Sequence, residues 1–237
     1  MDQSPETPAG ARPDAAATQP AYVTPAYRST ALRAPFAELV AFPGSPTVST
    51  GPRFTRERFP PLTDLSRQNG HDAQGQRIVV VGSVTDESGR PVPDTMIEIW
   101  QANAAGRYHH PLDQHDAPLD PYFHGAGRVF ADAGGQYRLL TIRPGSYPWR
   151  NHTNAWRPSH IHVSLFGRGF AERLITQIYF EGDPLLALDP IFHSVPDRDA
   201  RERLVARFAI GLTEPEWAHG YRFDIVLRGR RATPMEG

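Results

Sequence analysis

The sequence predicts an all-β fold: an antiparallel β-sandwich core with long loops, an extended N-terminal arm and one or two short helices. Three observations predict it. Proline and glycine number 24 and 20 among 237 residues and mostly stand between short apolar runs, a punctuation that suits strands and turns better than long helices. The apolar runs are brief and rich in β-branched residues, as in Ile78-Val79-Val80-Val81, which suits a pleated surface. Turn-forming clusters such as Glu87-Ser88-Gly89-Arg90 and Asp132-Ala133-Gly134-Gly135 separate them.

Residues 1–20 are Ala, Pro, Thr, Gln and Asp with hardly any large apolar side chain. Such a stretch cannot bury enough surface to offset chain entropy, so it reads as a disordered tail. Residues 21–70 gain Tyr22, Tyr27, Leu32, Phe36, Leu39, Phe42, Phe54 and Phe59 without a sustained period, which predicts an extended arm ordered by packing. The remaining 71–237 form the sandwich domain. Ile78–Val84 and Met96–Trp100 read as a hairpin or as adjacent strands, and Gly127–Phe130 with Tyr137–Ile142 as a second pair. Later strands are expected at Ile161–Phe166, Leu174–Phe180 and Tyr221–Leu227, and a helix at Arg198–Phe208 with Asp197 as its cap.

The formal charge of -1 offers no electrostatic reason for a nucleic acid or an anionic membrane as partner. There is no cysteine, which excludes thiol catalysis, zinc fingers and iron–sulfur clusters. No apolar run reaches the ~20 residues of a membrane-spanning helix, and the first residues, without a basic segment before an apolar core, do not read as a secretion signal. A cytoplasmic location is the expectation.

The sharpest local feature is Trp156-Arg157-Pro158-Ser159-His160-Ile161-His162. In a strand, residues i and i+2 share a face, so His160 and His162 project together and can serve one metal ion. Exposed or internally satisfied histidines show the same spacing, so other ligands decide the matter. A ferrous site of two histidines and one carboxylate needs an acid nearby, but Glu172 lies ten residues on, beyond a Gly167-Arg168-Gly169 turn. A cupin pattern places a carboxylate where Phe166 stands. Tyrosines fit better. Tyr108 directly follows the Met96–Trp100 strand in Gln101-Ala102-Asn103-Ala104-Ala105-Gly106-Arg107-Tyr108, and Tyr147 sits in the rigid frame Arg143-Pro144-Gly145-Ser146-Tyr147-Pro148. Phenolate is a hard anion that prefers a highly charged ion, and two phenolates with one hydroxide neutralise a trivalent one.

Several long segments together resemble the intradiol ring-cleavage dioxygenases: Trp100 to Tyr108, Pro144 to Arg150, Trp156 to His162, Leu174 to Pro184 and Tyr221 to Gly229. The resemblance extends from about Thr24 to Arg230 and favours the protocatechuate branch. It implies one non-haem Fe(III) per chain, bound by Tyr108, Tyr147, His160 and His162 with a hydroxide as fifth ligand. It implies that Tyr147 is released when a catechol chelates the iron, and that Arg157 and Gln177 stand beside the reacting ring. Trp100, Trp149, Tyr179 and Ile191 match pocket walls, and Tyr27 matches a tyrosine that meets the substrate carboxylate. The implied product is 3-carboxy-cis,cis-muconate, and the implied partner is an alpha chain of related fold in a larger oligomer.

Plainer readings stand beside these. Arg157 in an ion pair with Glu172 or Asp224 is the structural alternative. His109 and His110 adjoin Tyr108 and are expected outside the site. His71, His115, His124, His152, His193 and His219 lack partner spacing, and Asp113, Asp116 and Asp120 read as a solvated turn rather than a calcium loop. A catechol or hydroxyquinol 1,2-dioxygenase is the rival within the family; the proline-rich arm lacks the helical N-terminal segment usual there. A non-catalytic β-sandwich binding module is the rival outside it.

Overall fold

The computed structural model describes residues 19–35, 54–149, 156–167 and 173–235. The tail to residue 18, the arm residues Phe36, Leu39 and Phe42, and Glu172 and His152 lie outside the described residues. Within them the protein is mostly sheet. In chain order come α1 (Thr30–Arg33), β1 (Arg67–Gln68), β2 (His71–Asp72), β3 (Arg77–Thr85), β4 (Met96–Trp100), β5 (Ala126–Phe130), β6 (Gln136–Ile142), β7 (Tyr147–Pro148), β8 (Trp156–Arg157) and β9 (His160–Phe166). Then follow β10 (Arg173–Phe180), two 3-10 turns, α2 (Arg198–Glu202), β11 (Val205–Phe208), a third 3-10 turn, β12 (His219–Arg222) and β13 (Ile225–Val226).

Two sheet halves enclose the core. One has the order β5-β4-β9-β10-β11; β11 then pairs with β12, and β3 lies between β12 and β6, with β13 also on β3. Inward residues of both halves, among them Ile78, Val80, Leu139, Ile97, Ile99, Ile161, Val163 and Ile178, form a single buried cluster. The all-β sandwich architecture and the short helices are as expected. The ladders are mixed rather than wholly antiparallel, because β10–β11, β12–β3 and β13–β3 run parallel.

Strand positions match the sequence reading more closely than strand partners do. β3 and β4 do not pair with each other, nor do β5 and β6. Instead β3 pairs with β6 from Arg77–Ile142 to Ser83–Gln136, and β4 pairs with β5 from Met96–Phe130 to Trp100–Ala126. Each expected hairpin is thus split between the two halves. The turns exist locally: Asp86 accepts from the Ser88 and Arg90 amides, and Asp132 from the Gly134 and Gln136 amides. They carry the chain across the sandwich instead of folding it back, because each strand needs one apolar face covered by the opposite half.

Two further expectations are corrected. The helix expected at Arg198–Phe208 ends at Glu202, although Asp197 does cap it by accepting from the Ala200 amide. Val205–Phe208 is a strand, hydrogen-bonded to β10 on one side and β12 on the other. A lone helical turn is marginal, whereas these residues satisfy two ladders and join the halves. The strand expected at Tyr221–Leu227 is interrupted at Asp224, whose carboxylate replaces a ladder carbonyl by accepting from the Ser83 amide at 2.9 Å and its hydroxyl at 2.8 Å. Gly82 is required opposite this break: a Cβ there would stand 1.7 Å from the Phe223 carbonyl oxygen.

The arm crosses both halves. Leu62 bridges to Arg128 of β5 and Asp64 to Leu140 of β6, and Leu65 enters the main core. Farther upstream, Thr30 Oγ1 donates to the Tyr27 carbonyl at 2.8 Å and closes the turn before α1, while Tyr27 itself is buried.

The buried Tyr137 hydroxyl donates to the Phe223 carbonyl at 2.6 Å beside the Asp224 break. Burial, with the Asp224 charge adding to it, raises the pKa of this phenol, so it remains a donor. Tyr137→Phe is expected to lower unfolding stability by about 1–3 kcal/mol by leaving that carbonyl without its donor; a urea unfolding midpoint unchanged from the parent would contradict this.

Candidate metal centre

His160 and His162 alternate along β9, so their rings share one face while Ile161 and Val163 fill the core on the other. Ladder register selects their neighbours. Trp100 of β4 and Gln177 of β10 stand directly opposite His162 on its two sides, and Tyr179 stands opposite His160. Directly opposed residues share a face. The Trp100 indole accordingly lies flat against the His162 ring, with centroids 4.9 Å apart and planes 2° apart.

The tyrosines arrive on two loops held together through backbone. Asn103 is buried and closes the first: its Oδ1 accepts from the Ala105 and Arg107 amides at 2.9 and 3.0 Å, and its Nδ2 donates to the Pro118 carbonyl at 2.9 Å. The Asn103 carbonyl accepts from the Gly145 amide of the second loop at 2.9 Å. A Cβ on Gly145 would come within 2.4 Å of the Ala104 carbonyl oxygen, and one on Gly106 within 2.2 Å of the Ser146 carbonyl oxygen. Gly106 also has φ +79°, which a side chain would strain. Ser159 Oγ donates to the Pro144 carbonyl at 2.7 Å, tying the Tyr147 loop to the residue before His160. Tyr147 follows this loop as the first residue of β7, where it pairs with Arg157 of β8.

The side chains therefore converge. Tyr147 Oη is 3.2 Å from His160 Nε2, which is 3.2 Å from His162 Nε2. The Tyr108 ring stands edge-on to Tyr147 with centroids 5.4 Å apart and 6.3 Å from the His162 ring, and its hydroxyl is buried. His160 Nδ1 lies 2.7 Å from the Pro158 carbonyl. Only an Nδ1–H can donate there, so Nε2 presents its lone pair to the cluster. Burial, then the Arg157 charge, then His162 hold the His160 pKa well below the ordinary histidine value, against the opposing bond to Pro158. The imidazole is neutral, the form that ligates metal.

These residues fit a metal ion. Two ligands ~2.1 Å from one ion and at right angles to it stand roughly 3 Å apart, close to both contacts of His160. Among the described residues no three His, Cys, Asp or Glu side chains are grouped to hold an ion. The donors that do gather are two imidazoles and two phenols.

Beside them lies an arginine with partners that sequence reasoning missed. Arg157 is buried, with its Nε 3.1 Å from Asp189 Oδ1 and its Nη2 3.3 Å from Asp189 Oδ2. Nη2 also reaches Gln177 Oε1 and, at 3.3 Å, the Tyr179 hydroxyl. Burial opposes the guanidinium charge, but Tyr179, Asp189 and Tyr147 outweigh it and raise its pKa above the ordinary value. The alternative partners fail or fall outside: Asp224 is engaged by Arg222 and Ser83, and Glu172 is not among the described residues. Asp189 was legible in one respect, as a lone carboxylate inside Pro184-Leu185-Leu186-Ala187-Leu188-Asp189-Pro190-Ile191-Phe192. An acid in so apolar a run needs a buried partner.

The remaining expected residues surround this group. Trp149 lies under the Arg157 guanidinium, 5.2 Å from ring centroid to Cζ, and the buried Tyr27 ring meets Trp149 edge-on at 5.2 Å. Ile191 is buried, and its amide donates to Asp189 Oδ1 at 3.3 Å. His109 is exposed, with its ring against His124. Asp113 accepts from the Tyr108 and His115 amides within its turn, but Asp120, expected in a solvated turn, is buried and accepts from the distant Gln74 amide as well as from Tyr122.

Comparison with known proteins follows the same lines. The family profile described as "Dioxygenase" matches residues 49–229, and the one described as "Protocatechuate 3,4-dioxygenase beta subunit N terminal" matches residues 11–45. The chain is 56% identical to the protocatechuate 3,4-dioxygenase beta chain of Burkholderia cepacia, covering 92% of this chain and 94% of that one. It is 33% identical to the protocatechuate 3,4-dioxygenase alpha chain of Pseudomonas putida, over 68% and 76% of the two chains. Among solved structures, the dioxygenase domain of a carbohydrate-binding fusion protein from Streptomyces sp. SirexAA-E superposes with TM-score 0.51 at 27% identity, over 77% of this chain and 98% of that one. A 3-chlorocatechol 1,2-dioxygenase from Rhodococcus opacus gives 0.53 at 25%, over 77% and 72%.

Gly106→Ala is expected to strain the left-handed turn and push the two tyrosine loops apart, costing about 1–3 kcal/mol of stability. Metal content after purification should fall with it; a variant with parental metal content and melting temperature would refute the close-approach argument.

Proposed function

The chain belongs to the intradiol ring-cleavage dioxygenases, and we propose that it is the iron-carrying beta-type subunit of an enzyme that opens protocatechuate with O2 to 3-carboxy-cis,cis-muconate. The observation that carries the site assignment is the convergence of Tyr147 Oη and His162 Nε2 on His160 Nε2, each at 3.2 Å, with the Tyr108 ring beside them. The choice of substrate rests on the 56% identity to a protocatechuate 3,4-dioxygenase beta chain and on the match of residues 11–45 to the N-terminal profile of such subunits.

Tyr108, Tyr147, His160 and His162 would hold one Fe(III) per chain. Bound there, ferric iron would supply Lewis-acid chemistry that activates the catechol ring toward O2. The protein supplies the rest. Tyr147, the first residue of the two-residue β7, would serve as a ligand and take a substrate hydroxyl proton on its Oη. Arg157 is its cross-strand neighbour and offers a permanent cation where negative charge develops on the ring. Gln177 Oε1 holds the guanidinium from one side. Trp100, Trp149, Tyr179 and Ile191 wall the ring's site and keep water from it. Tyr27, whose ring lies against Trp149, would meet the substrate carboxylate.

An alpha chain of related fold is the proposed partner, supported by similarity to both chain types of a two-subunit enzyme. Tyr22, Val23 and Leu32 of the arm are exposed apolar residues beside Tyr27 that a partner would cover. No helix of the described residues is long and apolar enough to cross a membrane.

Visible absorption of the complex co-expressed with its alpha chain tests this reading. Tyrosinate-to-iron charge transfer should colour the resting protein, and anaerobic protocatechuate should change the band as catecholate replaces a phenolate. A colourless, iron-free complex that consumes no oxygen would end the proposal. Tyr108→Phe and His162→Ala should each lose iron or at least ~100-fold in turnover, whereas His109→Ala should retain both.

A further inference from the structure

Arg157 approaches the site from β8, a strand of two residues, so its own backbone gives the guanidinium little leverage. The groups that hold its plane come from elsewhere. Gln177 and Tyr179 of β10 reach Nη2, and Trp149 lies against the face. Asp189 spans two nitrogens, with Oδ1 3.1 Å from Nε and Oδ2 3.3 Å from Nη2. The Nη2 contact is a hydrogen bond and the Nε approach an ion-pair contact without hydrogen-bond geometry, and together they restrain the planar group more than a contact at one nitrogen does.

The carboxylate is itself held. Asp189 is fully buried, with Oδ1 also accepting from the Ile191 amide at 3.3 Å, and its backbone carbonyl accepts from the His193 amide at 3.0 Å. It follows a 3-10 turn, Pro184–Leu188, that Asp183 caps; the same Asp183 accepts from the Ser159 amide at 2.8 Å. The loop carrying Asp189 is therefore pinned to the segment between Arg157 and His160. Asp189 also removes a net buried charge, since two phenolates and a hydroxide already neutralise a ferric ion and an unpaired arginine beside them would stand uncompensated.

From this arrangement we infer that Asp189 is a positioning residue for ring cleavage, aiming the Arg157 guanidinium at the reacting catechol. The inference rests on the proposed role of Arg157. Charge and aim have opposite consequences here. Removing the carboxylate charge alone would make the site more positive and favour an anionic transition state, so a fall in turnover reports lost aim.

The test uses the co-expressed complex carrying Asp189→Asn, which conserves size and one acceptor. Iron content and anaerobic affinity for protocatechuate, read from the absorption change, should stay within about twofold of the parent. The kcat should fall about tenfold to a hundredfold, the cost of misplacing a catalytic group by about 1 Å. In an Arg157→Gln background the same substitution should change kcat by less than about threefold, because the two residues act as one unit. A kcat for Asp189→Asn within twofold of the parent would overturn the inference. So would an equal further loss in the Arg157→Gln background, or loss of iron from Asp189→Asn, which would mark a purely structural residue. If Asp189→Asn alone fails to fold, the neutral pair Arg157→Gln/Asp189→Asn is compared with Arg157→Gln: similar kcat values support the inference, and a further tenfold fall rejects it. Failure of the parent complex to bind iron or consume protocatechuate would instead strike the proposed function itself.

Discussion

The hydrogen bond from His160 Nδ1 to the Pro158 carbonyl is the small constraint on which the site depends. It sets the tautomer, turns the Nε2 lone pair inward, and does so within three consecutive residues. His162 and Tyr147 then meet that one atom, the first by strand alternation and the second by the β7–β8 pairing. A protonated or rotated His160 would present a donor hydrogen where the proposed iron needs a lone pair. Burial beside the permanent charge of Arg157 keeps it neutral without any acidic partner.

Sandwich and site make opposite demands on the same strands, and alternation reconciles them. On β9, Ile161, Val163 and Leu165 fill the main core while His160 and His162 face away from it. On β10, Ile178 and Phe180 face the core while Gln177 and Tyr179 lie beside the histidines. The loops carrying the tyrosines have no such ladder. They are ordered by each other, through glycine backbones that touch and through Asn103, whose buried amide closes one loop and whose carbonyl binds the other. A flexible pair of loops would place phenolate oxygens too loosely for a ligand set.

Arg157 shows why a structural and a chemical reading of one residue need not compete. It is a buried ion-pair member and also a neighbour of Tyr147, and the first makes the second tolerable in a low-dielectric site. Its partner comes from a loop more than thirty residues downstream, held to the segment before His160 by Asp183 and Ser159.

The sequence alone determined what short-range physics decides. β-Branched runs and turn residues located most strands to within a residue or two, alternation placed His160 and His162 on one face, and the glycine-proline frames marked Tyr108 and Tyr147 as the ligand candidates. Resemblance across several segments supplied the family and the expected ligand set. Tertiary structure decided which strands pair, because a turn's local hydrogen bonds are the same whether the chain folds back or crosses to the other sheet. It ended the helix at Glu202, where two ladders outcompeted one helical turn for Val205–Phe208. It also selected Asp189 as the partner of Arg157: an ion pair between loops distant in sequence has no period to betray it, and only packing brings the two charges together.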